Sequence, residues 1–415
     1  MAACCSKLHR QLYFRLSGIL ALVLGCLGVL GRSAALGGRI VLAIVLLRRM
    51  VRCLRGLPSR RCCGATGRKP LEPTMEGLHR RFVELYDASG VASAVHGVGQ
   101  AEQRVSEMQR RLTLSDGQEI AFWDVGPRDA TNAVLLCNGL GARAAGWAPL
   151  LDALHGESPA WQRRRLVIVE YRGQFASMPL VGGAVSVEKS AADMSDVASA
   201  LGLKRCSLLC WSTGVQVGLQ LALDRPDLIE GMVLIQGTTG QALDAILQPL
   251  CTVPGMPQAL AAFLRRVPNA MVRSGLRTSL RSLLLRRSVL FERVFSLALW
   301  LFGSDLMPPI VVRYGQDMLQ SDAHFLNYCS YAEALGRHRL ALRLPDIKAP
   351  AFVVTGTPDF ITPARCSYDL AASLGSAGGA LFYDDPGGSH YYIFEEPHKL
   401  ARMLVTFFDS VAPVA

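Results

Sequence analysis

Short apolar runs separated by turn residues recur along most of the chain, and stretches with apolar residues at helical spacing lie between them. Runs of this length are typical of buried strands, and their alternation with helices indicates a parallel sheet. The predicted strands are residues 133–137, 165–170, 206–210, 231–235, 351–355 and 380–383. A predicted hairpin at 110–113 and 119–123 precedes them. The pattern therefore predicts an α/β fold.

Residues 241–348 break this alternation and are predicted to be mostly helical. Apolar residues occur at helical spacing through 276–301, and Met307-Pro308-Pro309 interrupts the pattern. We call this predicted helical insertion the cap.

The cap sequence is strongly basic in one part. Between Phe263 and Phe295 it contains eight arginines and one acid, Glu292. The arginines are at positions 265, 266, 273, 277, 281, 286, 287 and 293. A basic, Leu-rich helix is compatible with an anionic membrane surface, and equally with a solvated arginine face over an apolar underside.

The first 71 residues differ in charge from the rest of the chain. They contain thirteen Lys or Arg and no Asp or Glu, and the whole 415-residue chain has a net charge of +11, so the remainder sums to about −2 (11 − 13). The positive charge thus belongs to this leader, and we expect no nucleic-acid partner for the rest.

Apolar runs in the leader indicate contact with a membrane. Residues 16–31 form one uninterrupted run, and extension back to Leu12 gives twenty residues, enough to span a bilayer. Residues 40–47 and the arginines after them predict an interfacial segment. We favour a membrane anchor over a mitochondrial or plastid transit peptide and over a cleaved secretory signal. Ten of the thirteen basic residues follow the first run, which predicts a catalytic domain on the cytosolic side.

Residues 72–108 are predicted to connect the leader to a single large catalytic domain. A helix is expected around 75–86, whereas the polar, Gly-rich end is typical of a linker. The catalytic domain then comprises a first core segment, 109–240, the cap and a second core segment, 349–415.

The twelve cysteines divide equally between the leader and the rest. In the leader, the pairs Cys4-Cys5 and Cys62-Cys63 are either acylation sites or unmodified thiols. The other six are predicted to be free buried thiols, because their spacing is not that of a metal site. They are Cys137, Cys206, Cys210, Cys251, Cys329 and Cys366. We expect neither a metal nor a cofactor.

Candidate chemistry lies where predicted strands end. Residues 210–214 read CWSTG and lie between the strand at 206–210 and a helical pattern that starts near Val215. Such a turn exposes a serine Oγ at the carboxyl edge of the sheet, which is typical of a nucleophile elbow. Ser212 is therefore the candidate nucleophile, and the N–H of Thr213 is a candidate oxyanion donor.

Three further loops follow strands at the same predicted edge. The first contains Leu140, whose N–H is the second candidate oxyanion donor. The second contains Asp359 and the third contains His390. Nucleophile, acid and base thus occur in the order Ser212, Asp359, His390, each just past a strand, as nucleophilic catalysis requires.

Other interpretations exist for the acid and the base. Asp359 is also a candidate cap for a helix near Pro363. His398 is the nearest alternative base, but the acidic residues beside it indicate an exposed helix start. No carboxylate follows the strand that ends before Gln236, so the alternative position for the acid is empty and Asp359 is favoured.

These loops together resemble the α/β-hydrolase superfamily, closest to serine esterase-like and lipase-like members of the AB hydrolase-1 type. The resemblance covers roughly residues 110–410 and rests on NGLG at 138–141, EYRG at 170–173, CWSTG, GTPDFITP at 356–363 and GGSH at 387–390. Departures from the family pattern are Asn138 for histidine, Glu170 for aspartate and Cys210 for glycine. The resemblance implies a mostly parallel eight-stranded sheet flanked by helices, with a helical cap.

The same resemblance implies the chemistry. Ser212 would carry an acyl-enzyme in the cleavage of carboxylic esters, with His390 as base, Asp359 orienting it, and the N–H groups of Leu140 and Thr213 holding the oxyanion. The resemblance, taken together with the leader and the basic cap, favours apolar, lipid-like esters as substrates at a membrane surface. Acyl transfer or another reaction by the same triad, and a non-catalytic binding protein of the same fold, are the alternatives.

Overall fold

The structure is a computed structural model that describes residues 75–87, 98–130, 133–181, 183–246, 253–286, 289, 308–375 and 380–413. These residues belong to one compact unit, Arg68–Ala415. The leader, 1–71, with its predicted anchor and paired cysteines, lies outside the described residues. Among the helices that are described, none has both the length and the apolarity to cross a bilayer.

A single eight-stranded sheet forms the centre of this unit. Its strands are β1 (Arg110–Thr113), β2 (Glu119–Val125), β3 (Ala133–Cys137), β4 (Arg165–Val169), β5 (Cys206–Trp211), β6 (Ile229–Ile235), β7 (Ala351–Gly356) and β8 (Leu381–Asp385). The spatial order is β1-β2-β4-β3-β5-β6-β7-β8. Strand β2 pairs antiparallel with β1 and β4, and the remaining pairs are parallel. The predicted mostly parallel sheet is confirmed.

Helices cover both faces of the sheet. In the core they are α1 (Met75–Tyr86), α2 (Val98–Glu107), α3 (Ala148–Glu157), α4 (Val187–Ala200), α5 (Thr213–Asp224), α11 (Ala364–Ser373), α12 (Tyr392–Glu395) and α13 (Pro397–Val411). Strand β3 shows why its sequence is continuously apolar. Val134 and Leu136 pack with α3 and α13, whereas Leu135 and Cys137 pack with α4 and α5 on the other face.

The connector differs from its prediction at its polar end. The expected first helix is present as α1, but residues 98–107, predicted to belong to a linker, form helix α2. Phe82 and Val83 of α1 and Ala101 and Val105 of α2 are buried in the hydrophobic core of the catalytic unit. Only these few apolar positions of α2 face inward, which explains why its composition resembles a linker.

The insertion between β6 and β7 is helical where it is described. It comprises α6 (Ala242–Ala245), α7 (Met256–Arg273), α8 (Leu276–Arg286), α9 (Pro308–Met318) and α10 (Asp322–Arg337). The predicted interruption coincides with the start of α9, where Pro308 occupies the first helical position. A small cluster of its own, including Leu284, Leu319 and Phe325, holds the cap helices together.

Candidate active site

The nucleophile elbow forms where β5 turns directly into α5. Ser212 has φ 57° and ψ −118°, a conformation that L-residues rarely adopt. Its backbone N–H donates to the carbonyl of Ile235 at 2.9 Å, which fixes the turn against β6. The Ser212 side chain is left partly exposed at the carboxyl edge of the sheet.

A continuous hydrogen-bonded relay joins the three predicted catalytic side chains. Nε2 of His390 lies 2.8 Å from Oγ of Ser212, and Nδ1 lies 2.9 Å from Oδ2 of Asp359. His390 and Asp359 are 4% and 1% exposed. Because an ionised carboxylate only accepts, the geometry fits a proton on Nδ1 and a free lone pair on Nε2 facing the hydroxyl. The structure thus brings together side chains that are 178 and 31 residues apart in sequence.

The acid is held by the turn that follows it. Oδ1 of Asp359 accepts from the N–H groups of Ile361 and Thr362, each at 2.8 Å. The Thr362 hydroxyl lies 2.8 Å from Oδ2. Asp359 therefore closes a local turn while Oδ2 remains directed at His390. It does not cap the helix near Pro363, because the N-cap of α11 is Pro363, which has no side-chain cap hydrogen bond.

Two residues that were not among the predicted site residues hold the loop at 387–390, which carries the base His390. Nε1 of Trp211 donates to the carbonyl of His390 at 2.9 Å. Nε2 of Gln236 donates to the carbonyl of Ser389, directly before the base. Gln236 is completely buried, has φ 52°, and occupies the end of β6 where no acid was found. The position of Gln236 was visible in the sequence, but its contact with a loop 153 residues away was not.

The two predicted oxyanion donors lie in the loops expected for them. Thr213 is the first residue of α5, where a helix leaves its N–H groups without partners. Within the described part of the chain, neither its N–H nor that of Leu140 donates to another protein group. Both are thus available to an oxygen bound at the elbow.

The oxyanion loop is residues 138–141, which contain the candidate donor Leu140. Its first residue, Asn138, replaces the histidine that is usual in the family and anchors the loop. Its Nδ2 donates to the carbonyl of Val169 at 2.9 Å, and its Oδ1 accepts from Nε1 of Trp147 at 2.6 Å. The hydroxyl of Tyr171 donates to the Asn138 carbonyl at 3.0 Å. With 1% exposure, Asn138 has a structural role and leaves the donor positions to the backbone.

Glycines of α5 explain how the elbow accommodates Cys210. A Cβ added to Gly218 would overlap with Sγ of Cys210. The motif usually has glycine at position 210, and here the glycine at position 218 of α5 provides the space that the larger cysteine side chain needs. A Cβ on Gly214 would overlap with the backbone carbonyl of Cys137 on β3. Burial raises the pKa of the Cys210 thiol well above its usual range, so that thiol is not a competing nucleophile.

Glu170, the other departure, is a buried carboxyl behind the oxyanion loop. Its Oε2 accepts from the N–H of Ala176 at 2.9 Å. Burial raises its pKa from 4.5 to about 7, against the opposing effect of Arg143. It lines a cavity of about 270 Å³ between the connector, core and cap.

Cap residues lie directly over the oxyanion loop. A Cβ on Gly141 would be 3.0 Å from the ring of Tyr328 of α10. Nε of Arg143 donates to Asp317 of α9 at 3.0 Å, and Nδ2 of Asn327 donates to the carbonyl of Gly173 at 3.0 Å. The cap therefore contacts the loops that position the site, and His398 lies exposed and apart from the relay.

In the described ranges, no group of three or more His, Cys, Asp or Glu is placed to hold a metal ion. Of the six cysteines outside the leader, the described ones are free thiols, although Cys366 is partly exposed and Cys251 lies outside the described residues.

Fold and relay define the class of protein, and comparison with known proteins identifies the family. The sequence profile of the alpha/beta hydrolase fold matches residues 132–397, and the chain belongs to this family. The resemblance drawn from the loop motifs is thereby confirmed.

Among curated relatives, putative carbamate hydrolase RutD of Caulobacter vibrioides is 26% identical over 310 residues, covering 72% of this chain and 99% of that protein. RutD of Stutzerimonas stutzeri is 26% identical over 251 residues, covering 60% and 82%. Among solved structures, esterase RhEst1 from Rhodococcus sp. ECU1013 has a TM-score of 0.53 at 17% identity, covering 74% and 100% of the two chains. A thermophilic esterase from Thermogutta terrifontis has a TM-score of 0.52 at 20% identity, covering 73% and 98%. At these identities the solved structures support the fold.

Proposed function

We propose that this hydrolase-family protein is a serine esterase that cleaves carboxylic esters through an acyl-enzyme on Ser212. The observation that carries the proposal is the relay from Ser212 Oγ to His390 to Asp359, with separations of 2.8 and 2.9 Å. A serine hydroxyl is a weak nucleophile, and a base at hydrogen-bond distance activates it.

The reaction follows from these positions. Ser212 Oγ attacks the carbonyl carbon while its proton passes to Nε2 of His390, and the N–H groups of Leu140 and Thr213 receive the oxyanion. Collapse of the intermediate breaks the bond to the alcohol, which leaves with the proton from Nε2. Water then attacks the acyl-enzyme, and His390 takes its proton and returns it to Ser212. Asp359 keeps Nδ1 protonated and stabilises the imidazolium.

Substitution of the relay tests this proposal on short p-nitrophenyl esters. Ser212→Ala and His390→Ala should each lower kcat/KM by about a thousandfold or more while the proteins stay folded. The matched control is His398→Ala, which removes an exposed histidine and should retain wild-type activity. A fluorophosphonate should label the wild type and the control but not Ser212→Ala. Full turnover by Ser212→Ala would overturn the proposal, and absence of labelling in the folded wild type would favour the non-catalytic alternative.

Carbamates are a second candidate substrate class, because curated relatives bear the name putative carbamate hydrolase. Acyl transfer and hydrolysis share the first half of the mechanism. A panel of matched p-nitrophenyl esters and carbamates, with and without competing alcohols, separates these reactions. We favour esters with apolar acyl groups, a preference that rests on the leader and on the basic cap; equal kcat/KM for acetate and long-chain esters would contradict it.

For the leader we propose a membrane anchor with the catalytic unit on the cytosolic side. Its support is the sixteen-residue apolar run, which reaches twenty residues when Arg15 extends to the headgroups, and the ten basic residues after it. Alkaline extraction of membranes should leave the full chain in the pellet, and protease added to sealed vesicles should cleave the catalytic unit. Release of the full chain by alkali would contradict an anchor, and import into an organelle would support the transit-peptide alternative.

A further inference from the structure

Helices α7 and α8 of the cap carry charges of one sign. Residues 253–286 contain six arginines and no Asp or Glu. Two of the arginines are bound within the cap, Arg265 to Glu333 and Arg277 to Asp322. The other four have no ion-pair partner among the described residues. These are Arg266, Arg273, Arg281 and Arg286.

Large apolar side chains are exposed among these arginines. On α7, Phe263 is 52% exposed, and on α8, Leu276 and Leu283 are 53% and 47% exposed. Other side chains of both helices pack into the cap interior, Leu264 and Leu284 among them. About half of each of the three apolar side chains Phe263, Leu276 and Leu283 is thus left exposed to solvent.

Spacing places the basic and apolar residues on the same outer faces. Phe263, Arg266 and Arg273 follow one another at intervals of three and seven along α7. Leu276, Leu283 and Arg286 follow one another at intervals of seven and three along α8. We call these six residues the cap face. All six are exposed, and α7 packs against α8.

We propose that the cap face docks on a bilayer that contains anionic lipids. Arginines attract anionic headgroups, and Phe and Leu between them are able to enter the headgroup and acyl boundary, which is the composition of interfacial helices. A nucleic acid would also bind the arginines, but the exposed Phe263, Leu276 and Leu283 add nothing to phosphate contacts. Docking would turn the cap, and the site beneath it, toward the membrane. It requires no catalysis and goes beyond the proposed ester hydrolysis.

The test places a tryptophan on the cap face of the full chain. Phe263→Trp is mixed with vesicles of phosphatidylcholine with brominated acyl chains and phosphatidylglycerol, and its fluorescence quenching is compared with that of the parent chain. The matched control is Leu342→Trp, at a residue 96% exposed outside the cap face. Both variants carry the same leader, so binding through the leader contributes equally to both. We expect quenching at least about twofold greater at position 263.

Charge removal supplies the second arm. In the Phe263→Trp chain, Arg266→Gln, Arg273→Gln and Arg286→Gln together should abolish the excess quenching, as should pure phosphatidylcholine vesicles. The control removes three exposed arginines elsewhere and should retain the excess quenching: Arg128→Gln, Arg339→Gln and Arg343→Gln. Ser212→Ala should also retain it, which separates failure of docking from failure of hydrolysis.

Three results would overturn the proposal. One is equal quenching at positions 263 and 342. Another is excess quenching that persists without anionic lipid or without the three arginines. The third is arginine-dependent binding of a duplex oligonucleotide with no quenching by brominated chains, which would assign the face to a different polyanion.

Discussion

At the residue scale, the three catalytic candidates were predictable from the sequence because their positions depend on where the parallel strands end. Ser212, Asp359 and His390 each follow a strand, and parallel strands bring such residues to one edge. Their supports were hidden, because Trp211 and Gln236 act through side-chain contacts with backbone carbonyls of a distant loop. No local pattern specifies such contacts. Gln236 therefore gives a residue-level prediction that separates positioning of the base from general stability.

Gln236→Leu keeps the approximate volume but removes the donor to the Ser389 carbonyl. We expect kcat on p-nitrophenyl esters to fall by about tenfold to a hundredfold with little change in KM, because a displaced His390 impairs proton transfer and not binding. The control is Gln220→Leu, which removes another buried glutamine, bonded to Asp224 and His338. Both variants should lose about 1–3 kcal/mol in urea unfolding. An equal fall of kcat in Gln236→Leu and Gln220→Leu would show that Gln236 contributes only to stability and does not position His390.

At the element scale, the site depends on how closely α5 approaches the sheet. Gly218 makes room for the Cys210 side chain and Gly214 makes room for the backbone of β3. The sequence predicted an elbow with an imperfect first position but not its compensation, since Gly218 lies outside the five-residue motif. A methyl group added at position 218 would meet a side chain, which a second substitution is able to shorten. A methyl group added at position 214 would meet the backbone of Cys137, which no side-chain substitution removes.

Gly218→Ala should destabilise the protein by about 1–3 kcal/mol through overpacking against Cys210. Adding Cys210→Gly should recover part of that loss, because the new methyl group then occupies the space of the sulfur. The coupling free energy, from urea unfolding of both single variants and the double variant, should be about 0.5–3 kcal/mol.

Gly214→Ala is the contrasting variant, since its new Cβ would meet the main chain of Cys137. Cys210→Gly should not rescue it, and fluorophosphonate labelling of Ser212 should fall as the elbow is displaced. Additive free energies in the Gly218 cycle, or rescue of Gly214→Ala by Cys210→Gly, would contradict this account of the packing.

At the scale of the whole molecule, connector, core and cap meet through buried and half-buried charges. Arg143, just past the oxyanion loop, contacts Asp317 of the cap at 3.0 Å and Glu102 of the connector at 4.0 Å. The sheet was predictable because burial on both faces produces continuous apolar runs. The connector helix was not, because its polar residues serve this three-way contact and resemble a linker when read locally. Residue 170 was included in the buried strand predicted at 165–170, but the surroundings that raise the pKa of its carboxyl group were not predictable, since residues of all three parts line that space.

Burial of Glu170 predicts a pH dependence of global stability. Its pKa rises from 4.5 to about 7 on folding, so between these values the folded chain binds the proton that the unfolded chain has lost. Ionisation of Glu170 across this window therefore favours unfolding by about 3 kcal/mol. Buried His79, whose pKa is lowered by burial from 6.5 to about 4, has the opposite effect on stability in nearly the same window, so the difference between a Glu170 variant and wild type is the informative quantity. Glu170→Gln keeps an oxygen for the Ala176 N–H but cannot ionise, so its advantage over wild type should grow from pH 4.5 to 7. Urea unfolding at stepped pH measures this difference, with the exposed Glu119→Gln as a control that should run parallel to wild type. Parallel curves for Glu170→Gln and wild type would mean that Glu170 titrates alike in both states.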